Sequence, residues 1–344
     1  MDSLQIGLLV AGGVTLLAVV GYNQWVSRKS APRQAELAEP EVGLPPAVGD
    51  DAGPVEPVLE DDFQNLPQPE RKPVLDALID VISTIEVDQP VSGDAALAAL
   101  PVTRRVGTKP FHVEGCSELS GEWEPLVPGR RYSAFQAGVQ LANRIGPLNE
   151  IEFSEFVVKT QAFADVLSAA VEFPDMRAEV ARARELDAFA GDHDAQLGFT
   201  LRARRAAWSP GYVAQNAARQ GFVAGALPGR MVLAGSQPGQ APGLSLTFDP
   251  QAAMADDPEQ SALREVTLSL EVTHVPRSEQ PFVQLRQAAQ ALAQAMDGVV
   301  TDDAGQPLSD DAMDRIGADL EALYDALDAR DLSAGSPQAR RLFS

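Results

Sequence analysis

Hydrophobic and polar positions change period several times along this chain, and the changes divide it. From Leu4 to Tyr22 nineteen residues carry no charge (LQIGLLVAGGVTLLAVVGY). A helix of that length covers about 28 Å, close to the hydrocarbon thickness of a bilayer. Residues 30–72 show no apolar period at all. Alternation then starts at Ile79, Val81, Ser83, Ile85 and Val87, which is strand spacing.

The clearest pattern lies further on. Leu197, Phe199 and Leu201 alternate with Gly198, Thr200 and Arg202. Ser209-Pro210 opens a helix running to Gln220, with Gly221 closing it. Met231–Leu233 reads as a short strand, Leu244, Leu246 and Phe248 as another, and Val266, Leu268, Leu270 and Val272 as a third. Phe282, Leu285, Ala289, Leu292 and Met296 fall at three- and four-residue steps on one helical face. Val299-Val300 and the turn Asp303-Ala304-Gly305 suggest an edge hairpin. Ser309 caps a last helix with Met313, Ile316, Leu320, Leu323 and Leu327 on its stripe.

That order predicts an α+β fold: a mostly antiparallel sheet with helices on one face and the other face open. Part of the order occurs twice at an offset of 129 positions, with Val139 and Leu141 on Leu268 and Leu270, and Pro147 on Pro276. Phe153, Phe156 and Phe163 fall on Phe282, Leu285 and Leu292, and Val171 on Val300. A divergent repeat follows as an expectation. The expected organisation is an anchor at 1–25, an acidic linker at 26–72, α+β units at 73–192 and 193–331, and a flexible tail at 332–344.

Charge placement decides the topology of the anchor. Met1, Asp2 and Ser3 precede the apolar run, whereas Tyr22 and Trp25 follow it, then Arg28, Lys29 and Arg33. A cleaved signal would carry its positive charge first and a small-residue cleavage site after. The expectation is a single transmembrane helix, with Leu4, Leu8, Leu9, Leu16 and Leu17 facing lipid, Tyr22 and Trp25 at the interface, and Arg28 and Lys29 on the cytoplasmic side. The linker, rich in Pro, Glu and Asp, has too little apolar surface to offset ordering entropy and is expected to be disordered. A docking motif around Phe63 and Leu66 is the alternative to a plain spacer.

The net charge of −22 argues against nucleic acid as a partner. It favours cationic or amphipathic ones. Cys116 is the one cysteine, and His112, His193 and His274 lack ligand spacing, so neither a disulfide framework nor a metal site is expected. Asp302, Asp303, Asp310 and Asp311 lack the alternating ligands of a calcium loop. Arg202, Arg204 and Arg205 read as protection of an edge strand. No phosphate loop or nucleophile elbow is visible, so no enzyme activity, small-molecule substrate or cofactor is expected.

Several strings resemble the ZipA family, membrane-tethered bacterial division proteins that bind FtsZ. They are Trp25-Val26-Ser27-Arg28-Lys29, Arg219-Gln220-Gly221-Phe222-Val223-Ala224-Gly225, Thr247-Phe248-Asp249-Pro250, and the run from Ala289 to Asp303 (AQALAQAMDGVVTDD). The resemblance implies an inner-membrane protein with a periplasmic N-terminus and a cytoplasmic split β-α-β domain. It further implies a groove on the open sheet face for the C-terminal tail of FtsZ, drawing on Leu201, Met231, Leu233, Leu246, Phe248, Thr267 and Ser269. Polar Thr267, Ser269 and Glu271 depart from the apolar groove of the family, as does the extra unit. A tethered scaffold that has lost tail binding is the alternative. Alternation alone leaves each apolar groove candidate equally readable as core.

Overall fold

The computed structural model describes residues 32–35, 74–235 and 242–344. The apolar run 4–22 and the linker from 36 to 73 lie outside the described residues. Among the described residues no helix is long and apolar enough to cross a membrane. The chain forms two compact units, one ending at Asp192 and one from His193 to Phe343, to which residues 32–35 belong.

In the first unit β1 (Asp80–Ser92) leads into a short helix α1 (Gly93–Ala99), capped by Ser92, whose Oγ accepts from the Ala95 N–H at 3.3 Å. Then come β2 (Arg105–Val106), β3 (Lys109–Ser117), β4 (Trp123–Pro125), β5 (Arg131–Gln140) and the small pair β6 (Ala142–Asn143) and β7 (Gly146–Pro147). The unit ends with α2 (Glu150–Leu167), β8 (Ala170–Glu172) and α3 (Met176–His193). The main sheet runs β2-β3-β5-β1-β8, with β4 alongside β3. Val81, Ser83 and Ile85 stand opposite Val139, Ala137 and Phe135, all buried on one face, because side chains alternate and paired residues share a side. Phe135 meets Phe163 of α2 edge-on at 5.6 Å, and Phe111 meets Phe156 at 6.1 Å.

The second unit repeats this plan. It comprises β9 (Gln196–Ala203), α4 (Pro210–Arg219), β10 (Val223–Ala224), β11 (Arg230–Leu233), β12 (Leu244–Thr247), the single turn α5 (Pro250–Ala253) and β13 (Glu265–Glu271). After these come α6 (Pro281–Met296), β14 (Gly298–Thr301), α7 (Asp310–Asp328) and α8 (Pro337–Leu342). The strands lie in the order β10-β11-β12-β13-β9-β14, each pair antiparallel. The inner run β12-β13-β9-β14 has the sequence order of β3-β5-β1-β8. The long helices answer each other too: Phe156 and Phe163 are buried on α2, as are Leu285 and Leu292 on α6.

Local signals act as read. Ser209 Oγ accepts from Tyr212 N–H at 3.1 Å and Ser309 Oγ from Ala312 N–H at 3.2 Å. Gly221 turns the chain after α4 with φ 86, a value that a side chain would strain. Asp302 N–H donates to the Gln306 carbonyl and Leu308 N–H to that of Val300, closing the hairpin after β14.

Three expectations fail. Residues 332–344 are not a loose tail: Leu332, Ala339, Leu342 and Phe343 are buried, and Gly335 N–H donates to Thr273 O at 2.9 Å. Arg202 is not on an edge strand, since β14 lies outside β9; it pairs instead with Glu265 across β13 at 3.5 Å. The linker is not uniformly free either, because Arg33 is bonded into the second unit.

Candidate functional site

Pair registers sort the second sheet into two faces. On one face stand Leu244 and Leu246 of β12, Val266, Leu268 and Leu270 of β13, and Phe199 and Leu201 of β9, all buried. Met231 and Leu233 of β11 stand opposite Leu246 and Leu244 and so share that side. Helix α6 closes it: the Phe282 ring lies edge-on to Phe199 at 6.3 Å. Leu233 lies beside the turn at Gly221, where an added Cβ would come within 3.2 Å of its Cδ1.

The other face carries Thr200, Thr267, Ser269, Ser245, Thr247 and Val232, all half-exposed. It forms a floor of short hydroxyl side chains. Val232 stands opposite Val223, itself 55% exposed, which adds an apolar rim at the β10 edge. Val299 lies at the opposite edge, paired with Arg202. Gly198 leaves a shallow dip in the floor: a Cβ there would lie 3.7 Å from Asp303 Oδ1 and 3.9 Å from Thr267 Cγ2. Glu265, Glu271 and Asp303 place carboxylates around this floor, with Glu271 accepting from Gln196 Nε2 at 3.1 Å. The hydroxyls present donors and acceptors that an extended or helical peptide can use. The valines supply only modest apolar area.

This geometry divides the residues expected to form the groove. Thr267 and Ser269 are on the uncovered face. Leu201, Met231 and Leu246 are on the helix face and buried, with Leu233 beside them; Phe248 lies one residue beyond β12 and is half-exposed. The physical reason is the period of two: Leu201 is the partner of Val266, so it faces away from Thr267. When one face carries leucines and the other threonines and serines, the leucines go under the helices, where removing apolar area from water gives about 25 cal/mol per Å2. Thr200, Val232, Ser245 and Thr247 were not singled out from the sequence. The signal was there in Thr267 and Ser269, since every residue directly opposite them in the ladder shares their face.

Part of the equivalent face of the first unit is covered by the chain itself. Glu114 of β3, only 1% exposed, accepts from the backbone N–H of Val74 and from that of Leu75 at 3.0 Å, and from Gln136 Nε2 at 2.8 Å. Leu75 presses onto Gly138, where a Cβ would come within 2.5 Å of its Cδ2. Two backbone amides and a side-chain amide thus meet the hydrogen-bonding needs of this buried carboxyl group. Glu114 and Leu75 thus cover the part of this face around Gln136 and Gly138.

Among the described residues no cluster of His, Cys, Asp and Glu is arranged to hold a metal ion. His274 Nε2 lies 3.0 Å from the Phe343 carbonyl, within the C-terminal packing. Cys116 Sγ lies 3.4 Å from the Gly121 carbonyl.

No curated protein sequence matches this chain. Residues 242–319 match the family model described as ZipA, C-terminal FtsZ-binding domain. The matched stretch runs from β12 into α7, so it contains β13, α6 and β14 and with them Ser245, Thr247, Thr267 and Ser269 of the uncovered floor. The match covers part of the C-terminal unit, and that stretch is similar to the FtsZ-binding domain of ZipA.

Proposed function

We propose that this chain is a membrane-anchored cell-division adaptor whose second unit receives the C-terminal tail of FtsZ on the uncovered sheet face. The match of residues 242–319 to an FtsZ-binding domain carries the reading. The sheet geometry supports it: among the described residues one face carries no helix, while the other is packed under α6. The cover of Glu114 and Leu75 over part of the first unit's equivalent face supports the second unit as the receiver.

The expected interaction is modest. Tail side chains rest on Val223 and Val232, the tail's polar groups bond to the hydroxyls of Thr200, Ser245, Thr267 and Ser269, and basic residues meet Glu265, Glu271 and Asp303. An affinity near micromolar, about −8 kcal/mol, suits such a surface. Several adaptors on one polymer then raise avidity. The apolar run 4–22 anchors the chain in the inner membrane, with the bulk of it in the cytoplasm.

The hydroxyl floor favours one rival: a tethered scaffold related to ZipA that does not bind the tail. Fluorescence anisotropy of a labelled FtsZ tail peptide, titrated with the full chain in detergent, separates the two. Saturation in the micromolar range, weakened at least about tenfold by Val232→Glu or Thr267→Glu, supports the adaptor, the loss corresponding to about 1.4 kcal/mol. Absence of saturation supports the scaffold. Membrane attachment is tested separately by deleting residues 1–25, which should release the chain from a carbonate-washed membrane pellet.

A further inference from the structure

Residues Pro32–Ala35 occupy a defined place on the second unit. Arg33 pairs with Trp208 as a parallel bridge, its N–H donating to the Ala207 carbonyl at 2.7 Å and its carbonyl accepting from Ser209 N–H at 2.8 Å. Trp208 pairs on its other side with Leu263, at 2.9 and 2.8 Å, so Arg33 is the outer member of two adjoining single β-bridges. The Arg33 guanidinium lies 3.1 Å from Asp297 Oδ2, and Gln34 Nε2 donates to the Glu259 carbonyl at 3.3 Å.

The receiving surface is tied into the packed unit. The Trp208 ring is fully buried and its N–H donates to Met296 O at 2.8 Å, at the end of α6. Ser209 caps α4 and donates to Glu259 Oε2 at 2.7 Å. Asp297 ends α6 in the left-handed region, φ 54, which sets the Arg33 cation at the negative end of that helix dipole. Backbone pairing, an ion pair and a helix terminus thus converge on one short segment, and pairing through main-chain groups is how an extended peptide adds to a strand.

We infer that Pro32–Ala35 is a clasp that docks on the Ala207–Ser209 segment and Asp297 of the second unit. Closed, it ties this unit to the basic residue Lys29 through the four residue steps to Arg33, at most about 14 Å of chain. Open, the connection runs through the whole linker and the first unit. The clasp therefore sets how far the second unit reaches from its point of attachment. Only this consequence for reach rests on the membrane-anchored reading; the docking itself does not.

Hydrogen–deuterium exchange on the full chain in detergent tests it, read on peptides spanning Arg33 and Ser209. Arg33→Asp, which places like charge on Asp297, should speed exchange at both positions by roughly three- to tenfold, the swing expected from reversing one exposed ion pair. Deleting residues 32–35 should leave Ser209 exchanging still faster. The peptide carrying Leu263 should keep its protection in both variants, showing that the unit remains folded. Equal exchange at Ser209 in the parent chain and the deletion overturns the clasp. The tail titration run on the same samples keeps the two readings apart: unprotected Ser209 with saturable tail binding removes the clasp alone, and protected Ser209 without tail binding supports the clasp while retiring FtsZ as partner.

Discussion

Leu268 and Ser269 are neighbours on β13, yet the fold assigns them opposite work, and truncating each in turn exposes the difference. Leu268 is fully buried between Leu246 and Phe199 on the helix side of the central strand. Leu-to-Ala changes at such sites cost about 2–5 kcal/mol, through lost transfer energy and the cavity left behind. A central position between two strands has little freedom to collapse, which points to the upper half of that range, about 4 kcal/mol. For a unit of this size each kcal/mol moves the midpoint by about 2–4 °C, so Leu268→Ala should lower it by roughly 10 °C. Ser269 is half-exposed on the other face, and Ser269→Ala should change stability by less than about 0.5 kcal/mol. Urea denaturation followed by the fluorescence of buried Trp208 reports on this unit, with Trp25→Phe and Trp123→Phe removing the other two tryptophan signals. Equal losses for the two variants, or a loss below about 1 kcal/mol for Leu268→Ala, would refute the assignment of faces.

Three further outcomes follow from other parts of the chain. In the first unit Glu152→Leu should destabilise by about 3–5 kcal/mol, because it strands the buried Lys109 ammonium held 3.2 Å from that carboxylate. Lys109→Met should cost clearly less in the same melts, since Glu152 keeps the N–H donors of Thr108 and Asn149. Burial, then the nearby Glu321 charge, pushes the Tyr324 phenol up to about 12. Because the folded value is raised, its contribution is complete below pH 10 and fades as pH climbs through 12, by about 2–3 kcal/mol in all. Tyr324→Phe should flatten that part of the stability–pH profile at little cost at neutral pH, as the hydroxyl has no hydrogen-bond partner among the described residues. Truncation after Asp331 should markedly lower the midpoint of the second unit in calorimetry by removing buried Leu332, Leu342 and Phe343.

Much of the second unit was legible because its signals are local. A Ser before Pro210 or Asp310 is a helix cap whatever surrounds it, and both helices start there. The face of the strands was not legible. Alternation separates two sides but does not name the covered one, and the leucines assigned to a groove lie under helices instead. Only the ladder, with Leu201 opposite Val266 and Thr200 opposite Thr267, removes the ambiguity. The C-terminal segment, expected to be a flexible tail, is packed structure. Ser336-Pro337 is the same cap signal as Ser209-Pro210, and Ser336 Oγ accepts from Ala339 N–H at 3.0 Å. The docking of Arg33 could not be read at all, because its partners Trp208 and Asp297 lie far along the sequence and only the fold brings them together.

Everything functional depends on which side of the second sheet receives a partner. Amide chemical shifts of the isotope-labelled full chain, recorded while unlabelled FtsZ tail peptide is added, measure this residue by residue. Saturable shifts should cluster at Thr200, Val232, Ser245, Thr267 and Ser269, with α6 and the Gln136–Gly138 region of the first unit unmoved. Shifts centred on the helices or on the first unit, or no saturable shifts at all, would contradict docking on the uncovered face.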